Sequence, residues 1–227
     1  MGTVSRGFKG RRRPALSCLR ATTWSRTSPA LSAGPTPSID LQDWELTITS
    51  ETGDQQRWDW NGFRSLPSEP VTVDLHCVTH WSKLGTTWEG CRWTSCSRGW
   101  RPAPASPLPS PTAGYSSKLA LEDLTDGKTW IAYRYDGEEV EPEHGGPARL
   151  LVPHLYLWKS AKWVRGIRLL DQDEPGFWES LGYHNYGDPW REQRFWGGWP
   201  EVAMTSANLW TDGDALADPP RRLPCRV

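Results

Sequence analysis

In the stretch VTVDLHCVTHWS, Val71, Val73, Leu75 and Cys77 fall on one face of an alternating run, and Thr72, Asp74 and His76 fall on the other. That spacing turns the Cys77 thiol inward, where cysteine serves either as a small buried hydrophobe or, once deprotonated, as a soft metal ligand. Farther along, HGGPARLLVPHLYLWKSAKWVRGIRL places a Gly-Gly-Pro turn ahead of Arg149, Lys159, Ser160 and Lys162. Two ammonium groups, a guanidinium, a hydroxyl and the amides of a glycine turn make a seat for a phosphate or pyrophosphate. A solvated basic edge strand would use the same residues. Cys91 and Cys96, in GCRWTSCSRGW, raise the question of a metal clip. The five histidines, however, have no HExxH or HxH spacing that would support a separate zinc site.

The segments that must position these residues are mostly strand-like. In WELTITS, Trp44, Leu46 and Ile48 alternate with Glu45, Thr47 and Thr49, the period of a half-buried strand. Asp59 caps a short helix that carries Phe63 and Leu66 and ends at Pro67. TWIAYRY reads as a strand, Asp136-Gly137 as a hairpin turn, and ARLLVPHLY and KWVRGIRLL as further strands. YSSKLALEDL reads as a loop and a short helical turn. Strands dominate, helices are short, and there is no βαβ alternation, GxGxxG or P-loop, so the class is α+β.

Composition sets outer bounds. A chain of 227 residues with a formal charge of −1 fits one large domain with ragged ends and argues against a dedicated nucleic-acid binder. No apolar run approaches the ~20 residues that cross a bilayer. The run Arg11, Arg12, Arg13 lacks the apolar segment of an export signal behind it and reads as a solvated tail. Five cysteines without a disulfide-framework spacing make a reducing cytoplasm the expected location. The expected organisation is an irregular basic segment over 1–30, one domain over 31–197, and an irregular tail over 198–227.

Taken together, DLHCVTHWSKLGTTWEG, PEHGGPARLLVPHLYLWKSAKWVRGIRLL and GYHNYGDPWREQRFWG resemble the sulfite oxidase family of molybdenum enzymes. The likeness is greatest to its small bacterial branch, related to the catalytic subunit of methionine sulfoxide reductase, and it covers about 31–90 and 114–197. It implies a molybdopterin-binding domain with a mixed, strand-rich core, and a molybdenum-molybdopterin cofactor. It implies oxygen-atom transfer to or from a small-molecule substrate such as sulfite or a sulfoxide, with a separate protein as electron donor or acceptor. Cys77 matches the single protein ligand to molybdenum. His144 and Arg149 match the turn that holds the pterin and its phosphate, although Asn is commoner at the first of these positions. Ser160, Ala161 and Lys162, with Lys159 beside them, match the segment that closes over the phosphate. His80 stands where relatives carry Arg, and it is expected to help attract an anionic substrate. Tyr183, His184, Asn185 and Tyr186 either approach the metal pocket or form a hydrogen-bonded surface turn.

The window 91–113 breaks the pattern. Five prolines between Pro102 and Pro111 exclude helix and central strand. Reading one base earlier turns Trp and Cys codons into Leu, Val or Met, and makes Cys91, Trp93, Cys96 and Trp100 aliphatic. The same shift turns 22–29 into a sensible globular segment. The expectation is that both windows are translated out of frame. If so, the alternative to an enzyme is an inactive, vestigial cofactor-binding protein.

Overall fold

The computed structural model describes residues 30–97, 116–170 and 174–196, together with the backbone of 23–24 and 106–111. Among the described residues, ten strands form two sheets, accompanied by four short α-helices. In chain order the strands are β1 (Thr23–Trp24), β2 (Glu45–Thr49), β3 (Gln55–Asp59), β4 (Ser68–His76), β5 (Trp81–Arg92), β6 (Ser106–Pro111), β7 (Trp130–Tyr135), β8 (Glu138–Glu139), β9 (Arg149–Leu151) and β10 (Val164–Leu170). The helices are α1 (Trp60–Arg64), α2 (Trp93–Cys96), α3 (Leu121–Thr125) and α4 (Phe177–Ser180).

The six-stranded sheet is built on β5, which pairs antiparallel with β4 and β7 and parallel with β1; β7 also pairs with β8 and β9. The other sheet runs β3-β2-β10-β6. Between them lies the main core, in which Trp44, Leu46, Ile48, Ile167 and Leu169 of one sheet meet Cys91, Ile131, Tyr133 and Leu150 of the other. The opposite face of the six-stranded sheet carries a second cluster of Val73, Leu75, Trp88, Trp130, Val140 and Leu151.

Local signals account for several of these elements. β2 buries Leu46 and Ile48 and leaves Glu45, Thr47 and Thr49 half-buried. Asp59 caps α1 by accepting from the Gly62 amide at 2.7 Å, and Phe63 fixes the helix to the core. Asp136 and Gly137 both have positive φ, 49° and 88°, as a two-residue hairpin between β7 and β8 requires. ARLLVPHLY is extended only over β9. Beyond Pro153 the chain folds into a 3-10 turn over Leu157–Lys159.

The window 91–113 holds more order than its composition indicates. β5 continues through Arg92, α2 follows, and Cys91, Trp93 and Cys96 are buried in the main core. The sulfurs of Cys91 and Cys96 pair as a disulfide, although the cysteines have no disulfide-framework spacing in the sequence. Among the described residues, no group of three or more His, Cys, Asp or Glu converges. β6 is a proline-rich edge strand that pairs with β10 alone. Proline is tolerated there because the edge needs no second row of donors. The expected irregular window over 91–113 is therefore corrected at both α2 and β6. Residues 98–105 and 112–115, most of 22–29 and the segment 198–227 lie outside the described residues. No described helix is long and apolar enough to cross a membrane.

Candidate functional site

β4 ends at His76, and the next four residues turn the chain into β5. The turn is closed by the Cys77 amide donating to the Trp81 carbonyl at 2.9 Å and the His80 amide donating to the Cys77 carbonyl at 3.3 Å. Cys77 is the free cysteine of the described residues, and it is buried at 8% exposure. Its Sγ lies 3.0 Å from the Thr79 hydroxyl. Burial pushes the thiol pKa up, opposed by the Thr79 hydrogen bonds and by the nearby Arg194 charge.

Cys77 borders a cavity of about 440 Å³. One group of lining residues is aromatic and surrounds the thiol turn: Trp81, Trp158, Trp178 and Tyr183. Tyr183 packs against Trp158, Trp178 and Phe195 with ring centroids 5.1, 5.3 and 4.8 Å away. Burial, and secondarily the Cys77 charge, raise its phenol pKa, so the hydroxyl keeps its proton at neutral pH.

The other lining group is basic and comes from the glycine turn and the segment facing it. Gly145 has φ 105°, and a side chain there would approach Lys162 Cβ to 2.9 Å; at Gly146 a Cβ would lie 1.9 Å from the Val140 carbonyl. Only glycine lets this turn pack so closely. Behind it, the Arg149 guanidinium is buried. Nη1 donates to the His144 carbonyl at 2.7 Å and Nη2 to the Ser160 carbonyl at 2.9 Å. No carboxylate pairs with it among the described residues, and its Nε has no acceptor. Burial lowers its pKa to about 10. Lys162 donates to the carbonyls of Leu31 and Glu143 at 2.9 and 2.6 Å; burial first, and the Arg149 charge second, lower its pKa to about 8. Burial and the same two cations keep His144 neutral at pH 7. A positive, partly unsatisfied pocket of this kind is suited to a phosphate.

The predicted residues divide accordingly. Cys77, His144, Arg149, Ser160, Ala161 and Lys162 line the one cavity. Lys159 does not. Its ammonium is fully buried and donates to the Lys118 carbonyl, the Asn185 carbonyl and Glu179 Oε1, the last at 2.6 Å, so its three donors are taken by the fold. His80 is also outside the lining. It occupies the left-handed corner of the turn, with φ 64°, while Thr79 and Trp81 on either side border the cavity. Of the aromatic-polar quartet only Tyr183 lines it. His184 stacks on Trp196, and Asn185 lends its carbonyl to Lys159. Sequence reasoning missed Thr79 and Arg194, although both lie inside the motifs that carried the resemblance.

A strand-rich α+β domain that gathers a buried thiol and a cluster of basic groups at one cavity is suited to holding an organic, phosphate-bearing cofactor. Residues 33–178 match the family described as oxidoreductase molybdopterin binding domain, and the chain belongs to that family. It is 36% identical over 170 residues to the uncharacterized oxidoreductase YuiH of Bacillus subtilis, an alignment covering 74% of this chain and 86% of that protein. The catalytic subunit MsrP of the protein-methionine-sulfoxide reductase of Burkholderia mallei is 24% identical over 180 residues, covering 71% of this chain and 53% of the relative. The sulfane dehydrogenase SoxCD of Paracoccus pantotrophus shares the fold, with a TM-score of 0.56 at 17% identity over 66% of this chain and 43% of that one. The chain thus spans most of the Bacillus protein and about half of the other two. The protein is an oxidoreductase of the sulfite oxidase type, and its cofactor is molybdenum-molybdopterin.

Proposed function

We propose that this oxidoreductase transfers an oxygen atom, with two electrons, to or from a small substrate such as sulfite or a sulfoxide. The carrying observation is that the free thiol of Cys77 and the guanidinium of Arg149, which pairs with no carboxylate among the described residues, border one cavity. The residues fit the cofactor: Arg149, which pairs with no carboxylate among the described residues, and Lys162 place two cations beside the cavity that the Cys77 thiol borders. When bound, the cofactor supplies a metal centre able to exchange oxo groups and electron pairs.

The protein's own part follows from its groups. Cys77, as thiolate, would be the single protein ligand to the metal, and the Thr79 hydroxyl, 3.0 Å away, would then donate to its sulfur. Arg149, Lys162 and Ser160 take the phosphate, and neutral His144 and the glycine turn border the pterin. The aromatic wall excludes water, and the protonated Tyr183 offers a neutral donor at the cavity. Electrons pass to or from a separate protein, a reading supported by the relative's description as a catalytic subunit.

Metal analysis of the purified chain and of Cys77→Ser tests this. Stoichiometric molybdenum in the wild type and its loss in the variant are expected. A folded wild-type protein that never carries molybdenum would instead support the vestigial alternative.

A further inference from the structure

Arg194 lies late in the described chain, yet it is only 5% exposed. Its Nη1 donates to the carbonyls of both Cys77, at 3.2 Å, and Val78. Its Nε donates to Glu192 Oε2 at 2.9 Å, and the guanidinium lies over Tyr156, 4.6 Å from the ring centroid. Tyr156 in turn bridges to His76, the residue before Cys77. The same segment backs Tyr183, through the Tyr183 to Phe195 bridge and the His184 amide donating to the Arg194 carbonyl at 3.1 Å. Arg194 is not itself among the residues that line the cavity.

A buried ion pair gives little net stability, because desolvation offsets most of the attraction. Arg194 and Glu192 are two residues apart and would form a local pair without reaching across the chain. What the guanidinium adds is a pair of bonds to two consecutive carbonyls of a turn that local sequence leaves weakly specified, with a left-handed residue at His80. Those carbonyls belong to the backbone from which the thiol projects.

We propose that Arg194 is a positioning residue for Cys77: by clamping the carbonyls of Cys77 and Val78 it holds the thiol in one orientation toward the metal. This rests on Cys77 being the ligand. Outer-shell partners of metal ligands typically contribute roughly 10- to 100-fold in metal affinity or activity, and an effect of that size is expected here.

The test uses Arg194→Met, which keeps an apolar stem over Tyr156 but removes the donors, together with Arg194→Lys and Cys77→Ser, all as full-length protein. Three readouts are taken: molybdenum per chain, the line shape of the electron paramagnetic resonance signal of the half-reduced metal, and the thermal midpoint. Arg194→Met should lose molybdenum or turnover by that factor and show a broadened or multiple signal, with Arg194→Lys partly restoring the single one. A Met variant that changes only the thermal midpoint, with metal content, turnover and signal unaltered, overturns the proposal. If the Met variant does not fold, the Lys variant decides: a broadened signal supports the clamp and a wild-type one overturns it. Cys77→Ser separates the two ideas. If that variant retains the wild-type signal, the ligand assignment itself fails; if it loses the signal while both Arg194 variants keep it, only the positioning role is wrong.

Discussion

Replacing Arg149 by Met should separate cofactor retention from folding. Among the described residues no carboxylate pairs with the guanidinium, and burial brings its pKa down to about 10. At about 1.4 kcal/mol for each tenfold change in proton affinity, that depression corresponds to roughly 3 kcal/mol of cost in keeping the charge inside the cofactor-free fold. Against this, Met leaves the carbonyls of His144 and Ser160 without their donor, at about 1–3 kcal/mol each. The two contributions largely cancel, leaving a net change between a gain of about 1 kcal/mol and a loss of about 3 kcal/mol. For a chain of this size, at about 2–4 °C per kcal/mol, the cofactor-free midpoint should fall by no more than about 12 °C. The cofactor side has no such compensation. A lost charge-assisted contact of about 1.5–3 kcal/mol should weaken retention roughly 10- to 100-fold. Pterin per chain after exhaustive dialysis, and thermal melts of cofactor-free protein, read the two effects independently. Retention of pterin at the wild-type level with turnover abolished would refute the phosphate seat. Failure of the cofactor-free variant to fold would refute the argument that the buried charge is paid for by the ligand.

Lys162 should make anion binding sensitive to alkaline pH. Its pKa in the cofactor-free protein is lowered to about 8, below that of the unfolded chain. The ammonium is therefore present below about pH 8 and lost above it, so inorganic pyrophosphate affinity should fall as pH rises from 8 to 9.5, by at most about tenfold per pH unit. Lys162→Met should make that slope shallower, as titration calorimetry would show. By the same sign, folding stability gains as pH rises from about 8 toward the unfolded value, because the unfolded chain then binds more protons. Lys159→Met leaves Glu179 buried beside the Lys118 amide without its ion-pair partner. It should destabilise the fold by about 3–5 kcal/mol, and an unchanged thermal midpoint would show that the pair is not structural. Cys91→Ala and Cys96→Ala should lower thermal stability and leave molybdenum content untouched. Sequencing the coding DNA tests the reading frame: the frame one base earlier should be open through both windows and should encode aliphatic residues at 91, 93 and 96, the positions buried in the core. Stop codons within those windows end the idea.

What could be read from the sequence was what neighbouring residues decide among themselves. The period of Leu46 and Ile48, the Asp59 cap and the Asp136-Gly137 hairpin are all set within a few residues of chain, by side-chain alternation, an orphan amide or a positive φ. The glycine turn, Arg149 and Lys162 were also legible, because a backbone packed this closely admits only glycine and because cations clustered beside it suit a phosphate. Tertiary packing decided which of these groups face the cavity. Lys159 and Lys162 are three residues apart, yet one is closed off by Glu179 and two carbonyls while the other borders the pocket, a difference set by α4 and the loop after it rather than by their own segment. His76 lies on the expected outer face of β4 but is covered by Trp190 and bonded to Ser82. Proline-rich β6 finds order only because β10 offers it an edge. The clamp from Arg194 to Cys77 joins residues 117 positions apart. Desolvation and hydrogen-bond satisfaction depend on every element that covers a group, and most of those elements are distant in sequence.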